Sequence, residues 1–137
     1  MMSQYLERAK ELRAITEIHY NCAQSVLVPF AGVVGVDEDT AYRMGANFGA
    51  GMKMGSVCGA LTGALMVLGL AGLNDESILR KLYREMKDRH EGCLNCADHL
   101  RINAEKGREK KPHCDELVYE LVEAVEGILR EHGVIGV

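Results

Sequence analysis

The stretch Val57–Leu73, VCGALTGALMVLGLAGL, constrains the fold more than any other part of the chain, because Thr62 is its one strongly polar side chain. Apolar surface of that extent is driven out of water, either into a bilayer or against the rest of the chain. A membrane-spanning helix wants about 20 apolar residues with anchoring flanks. This run is shorter, is interrupted by Gly59, Gly63, Gly69 and Gly72, and has no basic flank at its C-terminal end. It reads as a buried, glycine-rich central helix, with no membrane span.

Helical spacing recurs elsewhere. Tyr5, Ala9, Leu12, Thr16 and His19, with Leu6, Ile15 and Ile18 beside them, predict a first helix over about residues 3–19. Asn21 and Gln24 form a capping pair for a second, in which Pro29 introduces a kink and which Gly32 and Gly35 end. Asp37 or Asp39 caps a third through Tyr42 to Phe48, and Ser56 caps the fourth, the apolar run. Asn74 or Asp75 opens a fifth with Ile78, Leu79, Leu82, Tyr83 and Met86 on one face, stopped by Gly92. Asn95 starts a short sixth, EKGREKKP (105–112) reads as a solvated loop, and Pro112 opens the last helix, where Leu117, Val118, Leu121, Val122, Val125, Ile128 and Leu129 recur at helical spacing. No period-2 strand of useful length appears. The expectation is an all-α fold, a compact bundle of five to seven helices, in a single domain over residues 1–137.

Glycines 51, 55, 59 and 63 fall four apart. On a continuous helix they share one face, and each costs about 1 kcal/mol relative to alanine, so close backbone approach has to compensate. The neighbour is another helix of this chain, the same helix of a second subunit in a homodimer, or a bound group, which makes Gly55, Gly59 and Gly63 candidate cofactor contacts.

A formal charge of −4, 5% aromatic residues and no Trp exclude the basic surface and stacking platforms of a nucleic-acid binder. The opening, MMSQYLERAKELR, has no apolar signal core, so the expected location is the reducing cytoplasm, which suits an odd number of cysteines, five, better than a disulfide framework.

Four of those cysteines fall in the first turn of a predicted helix: Cys22 after Asn21, Cys58 after Ser56, Cys96 after Asn95 and Cys114 after Pro112. Unpaired amides at helix starts stabilise thiolates, lowering a thiol pKa from about 8.5 to roughly 3.5–7.5. The four are therefore candidate nucleophiles, redox partners or metal ligands, with Cys58, in the most glycine-rich setting, the expected nucleophile or central ligand. Cys93 completes a CxxC with Cys96, and Cys93, Cys96, Cys114 and His99 or His113 can be written as a zinc site. Ala97 follows Cys96 where haem attachment requires His, so no haem is expected.

Cys22 in NCAQSVL, Cys58 in FGAGMKMGSVCGALTGA, Cys96 in EGCLNCADHL and Cys114 in HCDELV together resemble the C-GCAxxG-C-C family of redox-active proteins over about residues 20–130, with Val57 where the family label has glycine and no counterpart for Cys93. The resemblance carries the family's cysteines onto Cys22, Cys58, Cys96 and Cys114 and its glycine motif onto Gly59 and Gly63. It implies redox chemistry, with a redox partner protein or small oxidant, and relatives like the non-haem part of split-Soret cytochromes imply an iron–sulfur centre at these cysteines. Three functions stand at this point: a thiol or iron–sulfur redox protein, a zinc-bearing interaction module, and a helical scaffold with inert thiols.

Overall fold

The computed structural model describes residues 3–136. Among the described residues seven α-helices run in the order α1 (Gln4–Ala14), α2 (Cys22–Phe30), α3 (Glu38–Met44), α4 (Gly59–Leu70), α5 (Glu76–Arg89), α6 (Cys96–Glu105) and α7 (Lys110–Glu131). Among the described residues there is no strand, only an isolated antiparallel bridge between Val57 and Asn95. The fold is all-α, as the spacing predicts.

Several helix starts follow from their caps. Asn21 and Gln24 bond reciprocally, the Gln24 amide donating to Asn21 Oδ1 and the Asn21 amide to Gln24 Oε1, both at 2.8 Å. Ser3 caps α1, Asp37 caps α3 and Asp75 caps α5 through their side-chain oxygens. These bonds satisfy amides that the first turn leaves without partners.

Other boundaries differ from the sequence reading. The first helix ends at Ala14, because Ile15 is extended and Arg13 Nη1 donates to the Tyr20 carbonyl at 2.9 Å, folding the following segment back. Ile15 and Ile18 are exposed as a result. The third helix stops at Met44, capped at Gly45. The last begins at Lys110, capped at Glu109, so that Pro112 is its third residue and the expected loop supplies its first turn.

The largest revision concerns the glycine stripe. Residues 51–63 are not one helix: Gly51–Gly55 form a single π-type turn, and α4 begins at Gly59 with Cys58 itself as N-cap in place of Ser56. The tight packing inferred from the glycines is nonetheless present, and it is internal. A Cβ on Gly63 would lie 2.6 Å from the Ala23 carbonyl oxygen, and one on Gly59 would lie 2.9 Å from the Phe48 carbonyl oxygen. Gly55 backs onto the Ala97 side chain. The face that could have served a second subunit is therefore covered by α2 and α6 of the same chain.

Helix α4 packs against α2 and α7, and α1 packs against the same two helices. Leu61, Ala64, Val67 and Leu68 of α4 are buried with Val26, Leu27 and Phe30 of α2 and with Val118, Leu121, Val122 and Val125 of α7. Tyr5 stacks on Phe30 with ring centroids 4.7 Å apart. Leu82 and Met86 of α5 close the cluster. No helix among the described residues is long and apolar enough to cross a membrane.

Gly63→Ala is expected to destabilise the protein by about 1–3 kcal/mol, since the backbone of Ala23 has nowhere to move. Gly127→Ala, in α7 with open space around it, is expected to stabilise by about 0.5–1 kcal/mol. Urea unfolding midpoints at constant m-value check both.

Candidate functional site

Four chain segments bring their helix starts together. The α2 start is held by the capping pair and by Asn21 Nδ2, which donates to the Gly45 carbonyl at 3.0 Å. Gly49 lies against the same side chain, where a Cβ would approach Asn21 Cβ to 2.8 Å. Cys22 is the first residue of α2. Because Gly59 has no side chain, the α4 start abuts it: a Cβ there would stand 3.3 Å from both Ala23 N and Cys22 Cβ. Cys58, the α4 N-cap, is thereby set beside Cys22.

The Val57–Asn95 bridge adds the third segment. The Cys58 amide donates to the Leu94 carbonyl at 2.9 Å, and the Cys96 amide donates to the Ser56 carbonyl at 2.7 Å. Cys96, first residue of α6, also packs its Cβ where Gly51 lacks one. The fourth segment is α7, whose fifth residue is Cys114.

Cys22, Cys58, Cys96 and Cys114 all line one cavity of about 730 Å³. The expected joint placement of these thiols is thus what the fold produces, although only Cys22 and Cys96 open a helix; Cys58 caps one and Cys114 lies past the first turn. All five thiols are unbridged. Of the three candidate glycines, Gly59 lines the cavity, while Gly55 and Gly63 are occupied by contacts with Ala97 and Ala23. Cys93 is off the cavity lining, with its Sγ 3.7 Å from the Glu91 carbonyl oxygen.

The thiols are electrically unequal. Cys22 and Cys114 line the same cavity, and the pairing of the two thiols brings the Cys114 pKa down to about 7 against the opposing effect of burial. Arg13 and Lys110 favour the same thiolate. The reciprocal consequence is a Cys22 pKa held well above the ordinary thiol value, by the Cys114 contact and then by burial. Burial pushes Cys58 up to about 11, outweighing the Ala60 and Leu61 amides that favour its thiolate. Cys96 is also raised, first by burial. The surroundings therefore favour the anion at Cys114 over Cys58, where it was expected. The physical reason is that Cys58 is 4% exposed in an apolar wall, where desolvation exceeds what two amides return.

Arg13 was not legible as a site residue, yet it organises this end of the bundle. Its Nε donates to Asp115 Oδ1 at 2.6 Å, and Lys111 Nζ lies 3.0 Å from Asp115 Oδ2. The signal in the sequence is positional: Arg13 follows Ala9 by four, placing a cation in the buried stripe of α1. His99 and His113 line the same cavity, and each has a buried Nε2 with no hydrogen-bond partner. His99 is driven down to about 4 by burial and then by the neighbouring histidines, so its ring is neutral at ordinary pH.

Among the described residues, no three His, Cys, Asp or Glu side chains are grouped so as to hold a metal ion. The set Cys93, Cys96, Cys114 with His99 or His113 is not assembled, because Cys93 sits outside the cavity that the others line.

Alkylation of reduced protein by iodoacetamide, followed by peptide mass spectrometry from pH 5 to 9, is expected to show Cys114 reacting with a midpoint near pH 7. Thiolate is present above that pH and lost below it, so reactivity falls on acidification. Cys58 should stay unmodified throughout. Arg13→Met should move the Cys114 midpoint upward, since it removes a nearby cation and leaves Asp115 with Lys111 alone.

No curated protein and no solved structure matches the chain. Residues 20–128 match the family described as "Putative redox-active protein (C_GCAxxG_C_C)", a span that takes in all four cavity cysteines. On that match, covering most of its length, the chain belongs to the C_GCAxxG_C_C family.

Proposed function

We propose that the protein carries out thiol–disulfide redox chemistry, with Cys22 and Cys114 as the working dithiol. The observation that supports this reading is the placement of both thiols on the wall of one cavity, where their pairing favours the thiolate at Cys114 and the protonated thiol at Cys22. A nucleophile with a pKa near ambient pH is close to the optimum for exchange.

The Cys114 thiolate attacks one sulfur of an oxidised disulfide partner, forming a mixed disulfide and expelling the other half of the partner as thiolate. Cys22 passes its proton to that leaving thiolate. Its own thiolate then attacks Cys114 Sγ, releasing the second half of the partner, which takes a proton from water. The partner gains two electrons and the protein is left with a Cys22–Cys114 disulfide. Run backwards, the same steps reduce the protein.

Diamide oxidation of the purified protein should give a Cys22–Cys114 disulfide in peptide mapping, reversed by dithiothreitol. Cys22→Ser should instead trap a lasting mixed disulfide on Cys114 with a small disulfide, and Cys114→Ser should abolish the exchange. Oxidation that links another pair, or none, overturns the reading.

A second reading is supported by a different feature, the presence of Cys58 and Cys96 on the same cavity, which the dithiol does not use. Four cysteine thiolates are a ligand set that iron–sulfur clusters use. Cys22, Cys58, Cys96 and Cys114 would hold the cluster, which when bound supplies one-electron transfer. Iron and acid-labile sulfide are then expected in stoichiometric amounts in anaerobically isolated protein and lost in Cys58→Ser. Iron-free protein under those conditions removes this reading and leaves the dithiol.

A further inference from the structure

The cavity sorts charge. The chain has 20 acidic and 16 basic residues, yet none of the residues lining the cavity is acidic, while Arg13, Lys53, Lys110 and Lys111 are on its wall. Arg13 and Lys111 are offset by Asp115. Lys53 and Lys110 form no salt bridge among the described residues; Lys53 Nζ has only Asn47 Oδ1 at 3.5 Å. A protein of net charge −4 thus presents uncompensated cations where its reactive sulfurs are.

The second observation is independent of charge. His99 is 3% exposed, lines the cavity and leaves Nε2 without a partner, as does His113. A buried polar atom without a hydrogen bond costs about 1–3 kcal/mol, so a bound donor at this wall is stabilised. The ring of His99 is neutral, so its unprotonated nitrogen can accept. The volume, about 730 Å³, lies in the range of roughly 300–1,000 Å³ that small-molecule pockets occupy.

We infer that the cavity is the binding site for a small anionic disulfide of the amino-acid or short-peptide type, its carboxylates toward Lys53 and Lys110, its N–H groups available to His99 and His113, and its sulfurs at Cys114. The inference rests on the dithiol reading above and specifies its oxidised partner: a low-molecular-weight disulfide, reduced to two thiols as Cys22 and Cys114 become joined.

Three probes test it, each with its rate normalised to that with free mercaptoethanol: oxidised glutathione (anionic), hydroxyethyl disulfide (neutral) and cystamine (cationic). Formation of the Cys22–Cys114 disulfide is followed by quenched alkylation and mass spectrometry. Oxidised glutathione is expected to react faster than cystamine by about tenfold or more at low salt, as electrostatic focusing into a cleft produces. That ratio should fall toward one in Lys53→Gln/Lys110→Gln. Any change in Cys114 acidity acts on both probes alike and cancels in the ratio. S-methylglutathione, which cannot be reduced, should protect Cys114 from alkylation. A ratio near one in the unaltered protein, or no protection, overturns the anionic-disulfide site while oxidation by the neutral probe leaves the dithiol reading standing. Failure of the neutral probe to form the Cys22–Cys114 disulfide overturns that reading and this inference together.

Discussion

The contact between α2 and α4 at Ala23 sets the position of everything else at the reactive end of the bundle. Two glycines one turn apart, Gly59 and Gly63, let the α4 backbone lie directly on the α2 backbone. Had either been alanine, the helices would stand apart and the Cys22 and Cys58 positions would separate with them. Helix-interior glycine is unfavourable by about 1 kcal/mol in isolation, and the compensation here is close packing along a helix whose one polar side chain is Thr62. The Val57–Asn95 bridge extends the same logic, since the Cys58 and Cys96 amides donate to carbonyls of each other's segments. Backbone contacts thus set Cys22, Cys58 and Cys96 beside one another, the Asn21 side chain anchors the α2 start, and α7 brings the fourth sulfur.

Given that framework, the division of labour among the thiols follows from burial and charge. Helix-start amides favour thiolates, but the effect is short-ranged and desolvation opposes it. At Cys58 desolvation wins. At Cys114 the Cys22 thiol, Arg13 and Lys110 tip the balance the other way. A dithiol in which one sulfur is anionic and its neighbour stays protonated keeps a single negative charge in the pair, avoiding the cost of two adjacent buried thiolates. Arg13 contributes without being consumed in a simple salt bridge: Asp115 holds its Nε while Nη1 reaches the Tyr20 carbonyl, so the guanidinium is clamped beside both sulfurs.

How much of this was readable from the sequence depends on the kind of interaction involved. Local rules served well: the Asn21–Gln24 capping pair, the Asp37 and Asp75 caps and the long apolar stripe of α7 lie where short-range preferences put them. The gathering of Cys22, Cys58, Cys96 and Cys114 was legible through their common placement near helix starts. What was not legible depends on tertiary surroundings. The burial of Cys58 is decided by neighbours from other helices. The four-residue glycine period suggested one helix because spacing alone does not distinguish a helix from a turn followed by a helix. Lys110 and Lys111 looked like part of a solvated run because the helix boundary beside Pro112 was placed two residues late, and Pro at an early helical position is compatible with either register.

The turn between α3 and α4 shows how these local irregularities serve the site. Ala50, Gly51, Met52 and Lys53 all have positive φ, and three of them carry side chains for which that backbone is uncommon. Residues held this way cost of order 1–3 kcal/mol each and persist only where the surroundings fix them. Here the fixing contacts are the Ser56 amide donating to the Gly51 carbonyl at 2.9 Å and the seating of Gly51 against Cys96 Cβ. A regular helix through this segment would carry the chain away from α6; the left-handed run instead wraps it round the α6 start and leaves Ala50 and Lys53 on the cavity wall. The strained turn, the two close glycines and the isolated bridge are therefore one device, which shapes the cavity lined by Cys22, Cys58, Cys96 and Cys114.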